Sequence, residues 1–87
     1  MPVRVVVTRQ IERYVACPPA VVEAADVRGA LDQVFRRTPK LKSYVVDERG
    51  RLRKHVRVFV NGTAAEGLDH ALGPDDEIYV MQSLTGG

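Results

Sequence analysis

Asp26-Val27-Arg28-Gly29-Ala30-Leu31-Asp32-Gln33-Val34-Phe35-Arg36-Arg37-Thr38-Pro39 is the stretch around which the rest of the chain must be arranged. Val27, Ala30, Leu31, Val34 and Phe35 fall at i, i+3, i+4, i+7 and i+8, a single apolar stripe at helical period. Asp26 stands at the N-cap position, where its carboxylate can accept from backbone N–H groups left free by the first turn. Arg36 and Arg37 lie in the last turn, where positive charge suits the helix dipole. Pro39 disfavours helical geometry at Thr38 and ends the element. One strong helix with one apolar face needs a sheet to cover, and the flanking sequence supplies it.

Upstream, Val3 to Thr8 is rich in β-branched residues and reads as a strand, central because Val5-Val6-Val7 is continuously apolar. Arg9 to Pro19 reads as a long loop, since Pro18-Pro19 cannot donate to a sheet ladder. Ala20 to Ala24 reads as a second strand, antiparallel to the first. Downstream, Leu41 to Val46 reads as a short, irregular strand and Asp47-Glu48-Arg49-Gly50 as a turn. His55 to Val60 alternates, with Val56, Val58 and Val60 on one face and His55, Arg57 and Phe59 on the other. Asn61-Gly62 is a turn dipeptide. Leu68, Ala71 and Leu72 are expected to plug one end of the core, and Gly73-Pro74-Asp75-Asp76 turns into a final strand, Glu77 to Met81.

The order is strand, strand, helix, strand, strand, strand. It predicts an α+β grasp arrangement: one main helix across a mixed, curled sheet of about five strands, the first and last parallel at its centre. The expected organisation is one folded domain over residues 1–81 and a flexible tail over 82–87. With the helix on the Val56-Val58-Val60 face, Phe59 is left on the other side near the tail. Tyr79 and Met81 share a face of the neighbouring last strand. Each of these side chains fits a core as well, but exposed aromatic and methionine residues suit partner docking.

Eighty-seven residues hold one core, with 45% hydrophobic and 28% charged residues, the balance of an ordinary globular protein. So short a chain lacks surface for a deep catalytic pocket, which favours a carrier, binding or subunit role over an enzyme. No signal peptide or membrane-spanning run is evident, so the expected location is cytoplasmic. Cys17 is the only cysteine, which excludes an internal disulfide and a cysteine-rich zinc site. His55 and His70 have no ligand-type spacing, so no metal is expected. Cys17 reads as a packed bystander rather than a nucleophile paired with His70 and Asp69. The basic runs Arg36 to Lys42 and Arg49 to Arg57 read as solvated faces or as a patch for an acidic partner. No aromatic residues interleave with them in a base-stacking pattern, which argues against nucleic acid.

The chain ends Gln82-Ser83-Leu84-Thr85-Gly86-Gly87. Extended, six residues reach ~20 Å, and glycine lets a backbone pass through a narrow channel. An ionised α-carboxylate, with a pKa of about 3.3–3.7, is a poor electrophile until a partner activates it, for example as an acyl-adenylate. Glycine is about 7% of average usage, so a terminal pair arises by chance in roughly one chain in 200. The tail alone decides nothing; what precedes it does.

Arg51-Leu52-Arg53, the Phe59-Val60-Asn61-Gly62 block, Gly67-Leu68-Asp69 with Leu72, Asp75-Asp76-Glu77 and Leu84-Thr85-Gly86-Gly87 occur in that order. The series resembles the ubiquitin-like sulfur-carrier family, which includes the small subunit of molybdopterin synthase and the carriers of the thiamine and cysteine pathways. Length and the Arg51-to-Gly62 block are more similar to the molybdopterin and cysteine branches, although Gln82-Ser83 stands where molybdopterin-type relatives often carry two prolines. The resemblance implies that an ATP-dependent activating enzyme adenylates Gly87, with Gly86, Thr85 and Leu84 threading into it. A sulfur donor protein would then form a thiocarboxylate, for delivery to an acceptor such as a molybdopterin synthase large subunit or cysteine synthase. With no phosphate-cradling glycine loop, the chain itself is expected to bind no cofactor; ATP belongs to the partner. Two other readings stay open: a ubiquitin-like modifier joined to lysines through Gly87, and an interaction module without tail chemistry.

Overall fold

The computed structural model describes residues 2–65 and 67–82. Strand β1 (Pro2–Val7) leads through a short helix α1 (Arg9–Glu12) to β2 (Ala20–Glu23). Helix α2 (Val27–Arg37), helix α3 (Pro39–Val45), β3 (Val56–Val60), β4 (Thr63–Ala64) and β5 (Glu77–Gln82) follow. The strands form one five-stranded sheet in the order β2-β1-β5-β3-β4. β5 runs parallel to β1 and antiparallel to β3, so the last strand lies at the centre, as the element order predicts. Val3, Val5 and Val7, Val56, Val58 and Val60, and Ile78 and Val80 are all buried. They meet the α2 stripe, of which all five predicted members are buried. This is the β-grasp architecture.

The ends of α2 follow from the sequence. Asp26 Oδ1 accepts from Gly29 N at 2.8 Å. Two more first-turn donors are met by the loop before β5: Val27 N–H donates to His70 O and Arg28 N–H to Leu68 O. A helix end inside a fold needs such partners. Leu68 and Leu72 are buried as expected, but Ala71 is exposed and instead makes an isolated bridge with Asp26.

Three readings of the sequence change. Leu41 to Val46 is not a strand: residues 39–45 form α3 with Pro39 in its first turn. Proline is tolerated there because the N–H it lacks would have no helical partner, so the residue that stops α2 also starts α3. Leu41 and Val45, four apart, are both buried, a helical repeat too short to stand out. The stretch 9–19 is not purely a loop: α1 lies within it, and Ile11 and Val15 are buried at the same spacing. The fifth strand is the two-residue β4, paired to β3 across Asn61-Gly62. Asn61 has φ 50° and Gly62 φ 84°, the left-handed pair that a two-residue hairpin turn requires. The final strand also runs one residue further than expected, to Gln82.

Leu41→Ala is therefore expected to destabilise the protein by about 2–5 kcal/mol, the cost of a cavity in a closed core. Chemical denaturation checks it; a loss well under ~1 kcal/mol would mean that α3 does not contribute to the core.

Candidate functional site

The site is built around the two ends of β5. At its start, Asn61 joins the β3–β4 turn to the turn before β5. Its Oδ1 accepts from Glu77 N at 2.9 Å, and its Nδ2 donates to Asp76 Oδ1 at 2.8 Å. Asp76 Oδ2 in turn accepts from Gly73 N at 2.7 Å. Backbone bonds extend the knot: Asn61 N to Glu77 O, and Arg4 N to Asp76 O. The donors at Gly73 and Asn61, with some help from the charge of His70, hold the Asp76 carboxyl below the ordinary carboxylate range. The register of β5, and hence the direction in which it leaves the sheet, is set here.

The sheet face away from α2 carries the expected docking residues. Phe59 lies directly opposite Tyr79, and Arg57 opposite Met81. Val6 flanks Tyr79 on the β1 side and Ala64 flanks Phe59 on the β4 side. Phe59, Tyr79 and Met81 are half-buried, so they are not members of the closed core. The Tyr79 hydroxyl donates to Glu77 Oε2 at 3.0 Å, and that bond, with the carboxylate's charge, raises the phenol above its usual value. Gly87, Gly86, Thr85 and Leu84, expected to carry and thread the reactive end, lie outside the described residues.

Beyond Gln82 the structure offers a feature that sequence reasoning does not reach. A cavity of about 320 Å³ opens at the end of β5, lined by Ile11, Tyr14, Tyr44, Arg53, His55 and Gln82 among others. Its tyrosines come from the two segments whose sequence suggests a loop and a strand. The spacings Ile11–Val15 and Leu41–Val45 carry the helical signal that could have placed them.

Cys17 is buried, and burial pushes its thiol up. It packs near Thr38, past the end of α2, whereas His70 bonds Val27 at the start of that helix. Eleven helical residues span about 16 Å, so no Cys17–His70–Asp69 arrangement exists. Among the described residues no group of three or more His, Cys, Asp or Glu side chains is placed to hold a metal ion. Nor is any described helix long and apolar enough to cross a membrane.

The family model of the ThiS family matches residues 13–87. The chain belongs to the ThiS family. Among solved structures it is similar to SAMP1 from Haloferax volcanii, with 27% identity, 100% of each chain covered and a TM-score of 0.86. It is also similar to a chain of the Amycolatopsis orientalis BexX/CysO complex, with 23% identity, 98% of this chain and 99% of that one covered and a TM-score of 0.78. Urm1 from Trypanosoma brucei shares 21% identity over 99% of this chain and 95% of that one, with a TM-score of 0.74. No curated protein sequence matches. The resemblance to ubiquitin-like sulfur carriers is borne out at the level of family and fold.

The Asn61–Asp76 knot has a pH signature. Because the folded Asp76 carboxyl is depressed, the stability it contributes is complete above the unfolded value of about 3.9 and is lost as pH falls through the folded value. Asp76→Asn is expected to lower the melting temperature at pH 7 and to flatten its decline below about pH 4. Some slope will remain, since Asp47, which accepts from the N–H groups of Arg51 and Arg49, is depressed in the same way. Melting curves that stay parallel from pH 7 to about pH 2 would remove Asp76 from the account.

Proposed function

We propose that the chain is a cytoplasmic sulfur carrier, a co-substrate rather than an enzyme, whose reactive group is the α-carboxylate of Gly87. The observation that carries this reading is the match of residues 13–87 to the ThiS family, which runs through the Gly86-Gly87 pair. Oxygen of the Gly87 carboxylate attacks the α-phosphorus of ATP held by an activating enzyme, and pyrophosphate leaves. Sulfur at the sulfide level, supplied by a donor protein, then attacks the acyl-adenylate carbonyl and displaces AMP. One carboxylate oxygen has been exchanged for sulfur, and the thiocarboxylate passes it to an acceptor enzyme in molybdopterin, cysteine or related sulfur-metabolite synthesis. Phe59, Tyr79 and Met81 form the face that docks to these partners, and Leu84, Thr85 and Gly86 thread the reactive end into their active sites.

A second reading has its own support. The likeness to SAMP1, at 27% identity, and to the structure described as small archaeal modifier protein 1 favours a modifier whose adenylated Gly87 is attacked by a lysine amine instead of sulfur. The first step is shared; lysine-linked adducts on denaturing gels identify the second outcome.

Incubation with the activating enzyme, ATP and a sulfur source is expected to add the oxygen-to-sulfur increment to the intact mass. A variant with one residue appended after Gly87 should fold normally and gain nothing. If the extended variant acquires sulfur equally well, the terminal carboxylate is not the acceptor.

Two further substitutions separate docking from threading. Phe59→Ala and Met81→Ala should weaken binding to the activating enzyme more than they lower thermal stability, because both side chains are only half-buried. Wild-type affinity in either folded variant would place the interface elsewhere. Gly86→Val should slow pyrophosphate exchange strongly, since a branched Cβ restricts χ1 and widens the segment; equal rates would show that thinness at Gly86 is irrelevant.

A further inference from the structure

The cavity at the end of β5 has a chemistry that the Phe59-Tyr79-Met81 face does not share. Tyr14 and Tyr44 stack with ring centroids 5.7 Å apart and 17° between planes. They are also 65% and 43% exposed, and the only other large hydrophobic side chain so exposed among the described residues is Val21. Solvent-facing aromatic pairs beside an opening are unusual in a protein with few aromatics, and they mark a contact surface more often than a core.

The polar part of the lining is cationic. Arg53 donates through Nε to Ser43 O at 2.5 Å, which anchors the side chain against α3. Arg53 is otherwise exposed. His55 stands two residues on, and no Asp or Glu lines the cavity among the described residues. Asp47 accepts from the backbone N–H groups of Arg49 and Arg51, and the charge of Arg53 acts on it as well, but it does not line the cavity. A fixed guanidinium fork beside two aromatic rings complements a carboxylate carried next to an apolar side chain.

Position supplies the second reason. The pairing of Val56 with Gln82 puts the cavity where β3 begins and β5 ends. Met81 turns to the opposite face of the same strand, beside Arg57. The end of β5 is thus flanked by the Phe59-Tyr79-Met81 face on one side and by the cavity on the other. A partner that takes hold of the residues after Gln82 must straddle this end.

We infer that the Tyr14–Tyr44–Arg53–His55 cavity is a second docking point for the tail-handling partner, receiving from it an acidic segment with an aromatic or aliphatic anchor. The inference rests on the carrier reading for the identity of that partner. The apolar anchor packs on the tyrosines and Ile11, and its neighbouring carboxylate pairs with Arg53. The two contacts together fix the rotation of the domain about the tail, which a single flat face leaves free.

The test uses the whole chain and a synthetic peptide alternating phenylalanine and glutamate, followed by NMR. Shifts are expected at Tyr14, Tyr44, Arg53 and His55, weakening as salt is raised because the pair is solvent-exposed. Arg53→Glu should weaken binding by about tenfold or more, the equivalent of about 1.4 kcal/mol, and Tyr14→Ala by a smaller factor without unfolding. Should Arg53→Glu fail to fold, Arg53→Gln keeps a donor for the Ser43 carbonyl and removes the charge. Equal binding of a phenylalanine–lysine peptide would overturn the inference, as would shifts that map elsewhere or binding of a single-stranded oligothymidylate in preference to the acidic peptide. The outcome is independent of sulfur loading. A chain that gains sulfur but ignores the peptide loses only the cavity, whereas one that binds the peptide but is never activated loses only the carrier reading.

Discussion

One side-chain amide, that of Asn61, joins the turn between β3 and β4 to the turn before β5. It must sit at positive φ to make the turn between β3 and β4, and from that position it reaches both Asp76 and Glu77. Asparagine is one of the few non-glycine residues that adopts this conformation readily and also carries a donor and an acceptor on one short arm. Because Glu77 is thereby fixed, Ile78 and Val80 fall on the helix side and Tyr79 and Met81 on the other. A slip of one residue would exchange the two faces entirely. The proposed docking face, the core and the point where β5 ends all inherit their geometry from this bond.

That dependence explains why the Phe59-Val60-Asn61-Gly62 block is informative in the sequence. Its members serve four different physical needs. Phe59 lies on the outer face and Val60 in the core, while Asn61 ties the knot and Gly62 takes the left-handed turn position. The Asp75-Asp76-Glu77 turn is its partner in space although fifteen residues separate Asn61 from Asp76. Two motifs that look independent along the chain are one structural unit.

The main helix, the central parallel pairing and the two-faced character of β3 and β5 are legible in the sequence because each repeats its pattern over several residues. What is not legible is short. Helix α3 shows only a single buried i, i+4 pair, and the pair at Ile11 and Val15 begins in α1 and ends beyond it; alternation or a loop mimics either equally well. Pro39 signals the end of one helix and is equally compatible with the first turn of another, and only the fold decides that it does both. The two residues of β4 are too few to carry any period, and only the hairpin turn ahead of them announces the strand. Ala71 looks apolar enough for the core, yet its place is fixed by a backbone bridge to Asp26, which composition cannot reveal. The cavity stays hidden for the same reason as the short helices: Tyr14 and Tyr44 meet only when α1 and α3 are both in place.

The charge distribution along β5 gives the site its direction. At the start of the strand the carboxylate of Asp76 is satisfied internally by Gly73 and Asn61, so it offers little to a partner. About 20 Å further on, the length of a six-residue strand, Arg53 and Arg57 flank the end of β5 with positive charge. On the docking proposal, an acidic partner would meet that end first, since long-range attraction between opposite charges orients an encounter before any close contact forms. On the carrier reading proposed above, the end of β5 is where successive partners would have to approach, and the two arginines set the charge they would meet there.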